Sequence, residues 1–247
     1  MIKPHFVYNT LADGTLRILN PVVGEEIWTV PGRAGRPISN DLRKPAEPIP
    51  ADVDREAVCH FCVKNTQHTP AEKSRVVRQG GGFKVLEKQT AEQALGVPAL
   101  FRRVPNLFEI VPMDFWKRNY GFRLSPLQRQ WKDAYLSTPQ GRKHVLGVID
   151  EKLSVAGRSA DEVSALGEAA KIEMADAFFG GSHDLIVSGR HYRDDAQNQD
   201  DLMHSGSLAP EEHFLYMSFT LNAVLEIHRE NPHVKHVAVY QSWLAQA

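Results

Sequence analysis

The residues with the most chemical potential in this 247-residue chain are its two cysteines, set in the run Cys59-His60-Phe61-Cys62. Two thiolates three positions apart reach one zinc ion, because a tight turn presents both sulfurs to the same side. A structural zinc takes about four ligands. The chain has no third cysteine, so histidine or carboxylate must supply the rest. A C-x-x-C pair also serves thiol–disulfide exchange, which wants it at a strand-to-helix junction. The next residues, Val63-Lys64-Asn65-Thr66-Gln67-His68-Thr69-Pro70, are polar and contain proline, unlike a helix start. Zinc binding leads, with a redox pair and a plain buried thiol pair as the other readings; His60 and His68 compete as further ligands.

Arg33 and Arg36 share the loop Pro31-Gly32-Arg33-Ala34-Gly35-Arg36-Pro37. Guanidinium groups form bidentate, charge-assisted hydrogen bonds to phosphate oxygens. Two of them on a loop stiffened by proline make a candidate diphosphate cradle, against the alternative of a solvated basic loop. Asn106, on an apolar stretch, is either a satisfied edge residue or a contact to a base.

The elements that must position these groups are unevenly legible. The first ~55 residues are rich in Pro, Gly and Arg and poor in periodic apolar spacing; residues 27–30 read as a short strand and residues 40–54 as an extended, irregular arm. Gly80-Gly81-Gly82 marks a turn. Residues 145–149 read as a strand. Ser159-x-x-Glu162 has capping-box form and predicts one helix carrying Leu166, Ala169, Ile172, Ala175 and Phe179, ended by Gly180-Gly181. Residues 183–188 read as a strand. A second helix is predicted over residues 210–228, with Phe214, Met217, Leu221, Val224 and Leu225 as its apolar stripe and Asn231-Pro232 as its stop. Residues 234–240 read as a last strand. Short strands among long helices indicate an α+β fold, an antiparallel sheet with helices on it.

Four segments, in order, resemble one known family. Cys59-x-x-Cys62-x-x-Asn65 followed by Thr69-Pro70-x-Glu72 resembles the C-P-F-C-x-G-N…T-P-P-E stretch of galactose-1-phosphate uridylyltransferases, which belong to the histidine-triad superfamily. Arg33-Ala34-Gly35-Arg36-Pro37 is similar to the family's R-A-x-R-P, which lies near the nucleotide phosphates. Arg103-Val104-Pro105-Asn106-Leu107-Phe108 is similar to V-x-N-x-F, whose Asn approaches the uridine. Gly181-Ser182-His183-Asp184-Leu185-Ile186-Val187-Ser188-Gly189-Arg190-His191 resembles G-x-H-E-V-I-V-x-x-P-x-H, whose last His binds zinc. The match runs from about residue 20 to the end.

The resemblance implies a histidine-triad-like antiparallel sheet with an irregular N-terminal zinc-binding arm. It divides the chain at residues 1–80 and 81–247, within one compact unit. It implies a structural zinc held by Cys59, Cys62 and His191, and nucleotide contacts from Arg33, Arg36, His68 and Asn106; His183 is expected to line the strand near the site. The implied partners are a nucleotide or nucleotide sugar and a sugar phosphate. The implied reaction moves a nucleoside monophosphate (uridylyl) through a histidine intermediate, because neutral imidazole is nucleophilic near pH 7 and its phosphoramidate is labile. A hydrolase or phosphorylase of the same superfamily, or a non-catalytic zinc- and nucleotide-binding protein, are the alternatives. The family's H-x-H-x-Q motif has no counterpart among the 11 histidines, and Ser242 stands about where the family has a phosphate-binding Asn. The nucleophile, the fourth zinc ligand and the final sheet strand are expected beyond Ala247, which would leave the domain incomplete at its C-terminus and these 247 residues inactive.

Composition excludes some classes. A formal net charge of −1 offers nothing for nucleic acid as a bulk partner. No apolar run approaches the roughly 20 residues of a membrane span. Residues 1–11 lack a signal-peptide core, so a cytoplasmic location is the expectation. An unpaired last strand would invite a homodimer.

Overall fold

The computed structural model describes residues 8–19, 24–31, 48, 61, 63–190, 192–198 and 201–241. Its chain order is set by strong local signals. Strands β1 (Tyr8–Thr10), β2 (Leu16–Leu19) and β3 (Glu26–Thr29) form an antiparallel meander. A turn joins its first two strands where Asp13 accepts the Thr15 N–H and hydroxyl. Strands β4 (Ser74–Gln79) and β5 (Gly82–Glu87) pair over six residues. Gly80 and Gly81 join them, both at positive φ, as a two-residue hairpin turn requires. With β6 (Phe101–Pro105) and β7 (Asp184–Ser188) they make a fully antiparallel sheet in the order β5-β4-β6-β7.

The helices start where side chains satisfy their first N–H groups. Helix α1 (Ala91–Leu95) begins with a Thr90/Gln93 capping box, and α2 (Met113–Tyr120) ends at Gly121 in the left-handed region. A Ser125/Gln128 box and Pro126 open α3 (Pro126–Ser137). Thr138 caps α4 (Pro139–Val155), again with proline in the first turn. The Ser159/Glu162 box opens α5 (Ala160–Ala165); α6 (Glu168–Met174) and α7 (Asp176–Gly180) come next, and α8 (Pro210–Glu230) is the longest. None of the described helices is long and apolar enough to cross a membrane.

Five expectations change. Residues 145–149 lie inside α4, where Val145, Val148 and Ile149 take the buried side at helical spacing. The helix expected from Ser159 is three short ones, interrupted at Leu166-Gly167 and Ala175. Helix α8 buries Phe219, Thr220, Ala223 and Ile227, while Phe214, Leu221 and Leu225 of the expected stripe face solvent at 75%, 58% and 54% exposure. Apolar residues ring much of this helix, so periodicity alone does not select its face. Residues 234–240 form no strand. The first ~55 residues include the whole three-stranded meander.

Successive side chains on a strand point to opposite faces, and β6 shows what that entails. Phe101 points toward α8 and packs with Val76 of β4 and Phe219. Arg102 points the other way, and Arg103 returns to the α8 side. Each arginine is 1% exposed. Arg102 donates to Glu72, to Thr69 Oγ1 at 2.8 Å and to the Phe61 carbonyl at 2.7 Å. Arg103 donates to Asp184 at 2.7 Å and to Glu226 of α8. Lys73 pairs with Asp184 at 2.8 Å and donates to the Gly181 carbonyl at 2.5 Å. Burial alone would raise the Asp184 carboxyl, but Lys73 and Arg103 outweigh it and hold it below the usual range. The large helical core, which includes Phe115, Trp131, Val148 and Phe179, lies among α2 to α7.

Glu72 neutralises both Arg102 and Arg75. Removing one partner of a buried ion pair costs about 3–5 kcal/mol, because a charge is left buried without compensation. Glu72→Gln is therefore expected to lower unfolding stability by about that amount. Urea denaturation measures it; a midpoint equal to that of the parent would show the cluster to be energetically neutral.

Candidate functional site

Helices α1 and α4, the 3-10 turn Val63–His68 and the helical faces of β4 and β6 enclose a cavity of about 480 Å³. One wall is polar and built on buried ion pairs. Arg75 gives Nε to Glu72 at 2.7 Å and Nη1 to the carbonyls of Ala94 and Val97, the latter at 2.6 Å. Arg102 commits its three nitrogens as described above. Beside them Tyr135 is 3% exposed. His144 Nε2 lies 2.8 Å from the Thr69 carbonyl, an oxygen that only accepts, so that nitrogen carries the proton. Nδ1 then accepts the Tyr135 hydroxyl at 2.7 Å. Burial pushes the His144 pKa down against the opposing effect of the Thr69 bond, which keeps the ring neutral. Burial also pushes the Tyr135 phenol up, so it remains a donor.

Toward the opening, His68 donates Nδ1–H to Glu151 Oε2 at 2.9 Å. Carboxylate and imidazole come from elements 83 residues apart, the turn before β4 and the second half of α4. Of the candidate metal- and nucleotide-site residues that are described, His68 lies at this cavity, beside Pro70 and Glu72 of the same motif. Arg33, Arg36, Cys59, Cys62 and His191 lie outside the described residues. Phe61, between the two cysteines, is described, and its carbonyl is held by Arg102. Among the described residues no group of three or more His, Cys, Asp or Glu is placed to hold a metal ion.

Asn106 lies elsewhere, where β6 runs out beside the start of β7. Its backbone N–H donates to the His183 carbonyl at 2.8 Å, and its carboxamide oxygen accepts the Phe108 N–H at 2.9 Å. His183 Nδ1 accepts the Ile110 N–H at 2.9 Å, and its Nε2 is 3.3 Å from Asn106 Nδ2. Both side chains thus shape the turn that leaves β6.

That turn also carries Glu109, which is 7% exposed. One carboxylate oxygen accepts the Met113 N–H at 3.1 Å, and the other has no hydrogen-bond partner among the described residues. Burial raises its pKa to about 7, against the opposing charges of Lys152 and Lys73. Gly181 has to be glycine here, since a Cβ would run into Glu109 and the Ala177 carbonyl.

Sequence reasoning missed Arg75, Arg102, Tyr135, His144, Glu151 and Glu109. The available signal was Arg102-Arg103 inside an otherwise apolar strand, because a charge pair in such a run has to be matched by buried carboxylates.

Residues 11–247 match the family described as "Domain of unknown function (DUF4921)", and the chain belongs to that family. No curated protein and no solved structure matches it.

The Glu109 environment sets a pH dependence. Its folded pKa of about 7 lies above the ordinary carboxyl value of 4.5. The neutral form is therefore the one the fold favours, and its contribution is complete below about pH 4.5 and lost as pH rises through about 7. The shift corresponds to about 3 kcal/mol. Glu109→Gln is expected to gain stability above pH 7 and to flatten the stability profile between pH 5 and 7. Chemical denaturation at several pH values checks this; parallel profiles for parent and variant would contradict it.

Proposed function

We propose that this member of the DUF4921 family is a zinc-stabilised, nucleotidylyltransferase-like protein that binds a nucleotide or nucleotide sugar, with a sugar phosphate as the second substrate of the full reaction. The observation that carries the reading is the convergence of three matching segments, 69–72, 103–108 and 181–188. They lie far apart in the chain, yet they run into, along and beside the neighbouring strands β4, β6 and β7, joined by the Asn106–His183 main-chain bond. That adjacency supports reading the three segments as parts of one antiparallel sheet.

The donor set also suits the metal. Two thiolates and an imidazole from Cys59, Cys62 and His191 form the soft, nitrogen- and sulfur-rich environment that structural zinc prefers. When bound, zinc would supply cross-linking of the chain rather than chemistry at the substrate. Arg102 favours the same arrangement: it ties the Phe61 carbonyl to Thr69 and Glu72, joining the cysteine turn to the rest of its motif. Arg33 and Arg36 are the groups whose planar guanidinium forks would match phosphate oxygens. Asn106 would offer a base the second lone pair of its oxygen and one amide N–H, the others facing Phe108 and His183.

The 247 residues contain no two histidines in H-x-H spacing, so the decisive test is binding. Metal analysis of the purified chain is expected to find one zinc per molecule, lost together with several kcal/mol of stability in Cys59→Ser, because structural zinc binding is coupled to folding. Calorimetric titration with UDP-glucose and ADP-glucose is expected to detect binding that weakens roughly tenfold or more in Arg33→Ala or Arg36→Ala, the loss of one charge-assisted bond. A reversible Cys59–Cys62 disulfide in metal-free protein would favour the redox reading instead. Absence of both zinc and nucleotide affinity would end the present one.

A further inference from the structure

The two arginines of β6 differ in how their surroundings match them in charge. Around Arg103, the cations Lys73, Arg103 and Lys88 meet the carboxylates Asp184, Glu226 and Glu230 one for one. Around Arg102 the count does not close. Arg102 and Arg75 are 1% and 4% exposed, and both lean on the single carboxylate of Glu72. Their other bonds run to neutral oxygens, the Thr69 hydroxyl and the carbonyls of Phe61, Ala94 and Val97. Among the described residues, this wall of the α4 cavity therefore holds two positive charges against one negative. A guanidinium cannot shed its proton to escape burial, so the surplus has to be met by solvent or by an anion.

The same wall has hydrogen-bond donors to spare. A guanidinium carries five N–H groups. Arg102 gives Nε to Glu72, Nη1 to Phe61 and Nη2 to Thr69, which leaves one N–H on each terminal nitrogen uncommitted among the described residues. Arg75 spends both Nη1 hydrogens on carbonyls and keeps one on Nη2 beyond its contact with Glu72. Both side chains line the cavity, whose volume of about 480 Å³ lies within the range of small-molecule sites. Lys143 and Glu151 add one charge of each sign to the lining, so they do not remove the surplus. Elsewhere Pro70, Ala91, Ala94 and Gly147 give small, uncharged walls.

We propose that this cavity binds a small organic carboxylate, with its anionic end on Arg75 and Arg102 and its apolar body against Pro70, Ala91 and Ala94. A carboxylate matches the surplus in charge, one for one. It also matches in shape, since its two oxygens accept from the paired N–H groups of a guanidinium. A phosphate monoester carries about 1.5–2 negative charges at pH 7 and would overshoot. The proposal rests on the charges and donors of this wall and makes no use of the zinc or nucleotide reading.

The test is calorimetric titration of the full chain with benzoate and butyrate, each beside its own amide, and with phenyl phosphate. At least one carboxylate is expected to bind, and to bind about tenfold or more tightly than its amide, the loss of a charge-assisted bond. A crystal structure of that complex is expected to place the carboxylate within hydrogen-bond distance of Arg75 and Arg102. Arg75→Gln brings the wall into balance and is expected to remove the preference for acid over amide. Because that variant can fold poorly, Gly147→Leu provides a second measurement. Its position is exposed, and a Cβ there would meet nothing within 4 Å, so it is expected to fold as the parent does while its added bulk weakens carboxylate binding. Failure of both carboxylates to bind overturns the proposal and leaves the surplus charge to water. So do amides that bind as well as their acids, a carboxylate seated outside the cavity, or affinity unchanged in a folded Gly147→Leu. Phenyl phosphate binding more tightly than benzoate would overturn the choice of ligand in favour of a phosphate.

Discussion

Two adjacent arginines on β6 impose the constraint around which the rest of the molecule is arranged. Because neighbouring side chains on a strand point to opposite faces, Arg102 and Arg103 carry one positive charge into each layer of the fold. A guanidinium withdrawn from water is tolerable only when paired and fully hydrogen-bonded. Glu72, just before β4, must therefore stand on one side, and Asp184 of β7 and Glu226 of α8 on the other. Those demands fix which elements flank the strand. The helical layer meets the sheet around a charge cluster, and α8 crosses the opposite face with Glu226 turned inward over Arg103 while Phe219 fills the apolar patch beside it.

How much of this was legible depends on how local each signal is. The β4–β5 hairpin announced itself through consecutive glycines, and α8 through proline at its first turn and Asn-Pro at its end, since each effect acts within a few residues. The run Val145-Leu146-Gly147-Val148-Ile149 misled because a short apolar stretch fits a buried strand and a buried helix equally well. The capping Thr138 and Pro139, several residues upstream, held the answer. The outward turn of Phe214, Leu221 and Leu225 was not readable from α8 itself. The buried side of that helix is decided by what the sheet offers, namely Val76, Phe101 and Phe83.

The site divides in the same way. His68 was within reach because it comes after a motif of recognisable spacing. Its partner Glu151 was not, since nothing in α4 distinguishes that carboxylate from the solvated ones around it. Arg75, Arg102 and Glu72 form a unit assembled from a strand, its neighbour and the segment leading into the first, so its members are paired by topology and not by interval. Glu109 is the extreme case. A carboxyl with one oxygen lacking a hydrogen bond, seated against Gly181, is an ordinary glutamate in sequence and an exceptional one in place.

The three bonds of Arg102 have a thermodynamic consequence. The guanidinium is planar and rigid, so its contacts to the Phe61 carbonyl, Thr69 and Glu72 cannot be remade one at a time. A shift of the Phe61 carbonyl must therefore tilt that plane, and the tilt is felt at Thr69 and Glu72 as well. Whatever displaces one of these partners therefore changes the free energy of displacing the others, by an equal amount in each direction. Three stretches of chain are thus bound into one mechanical unit by a single side chain.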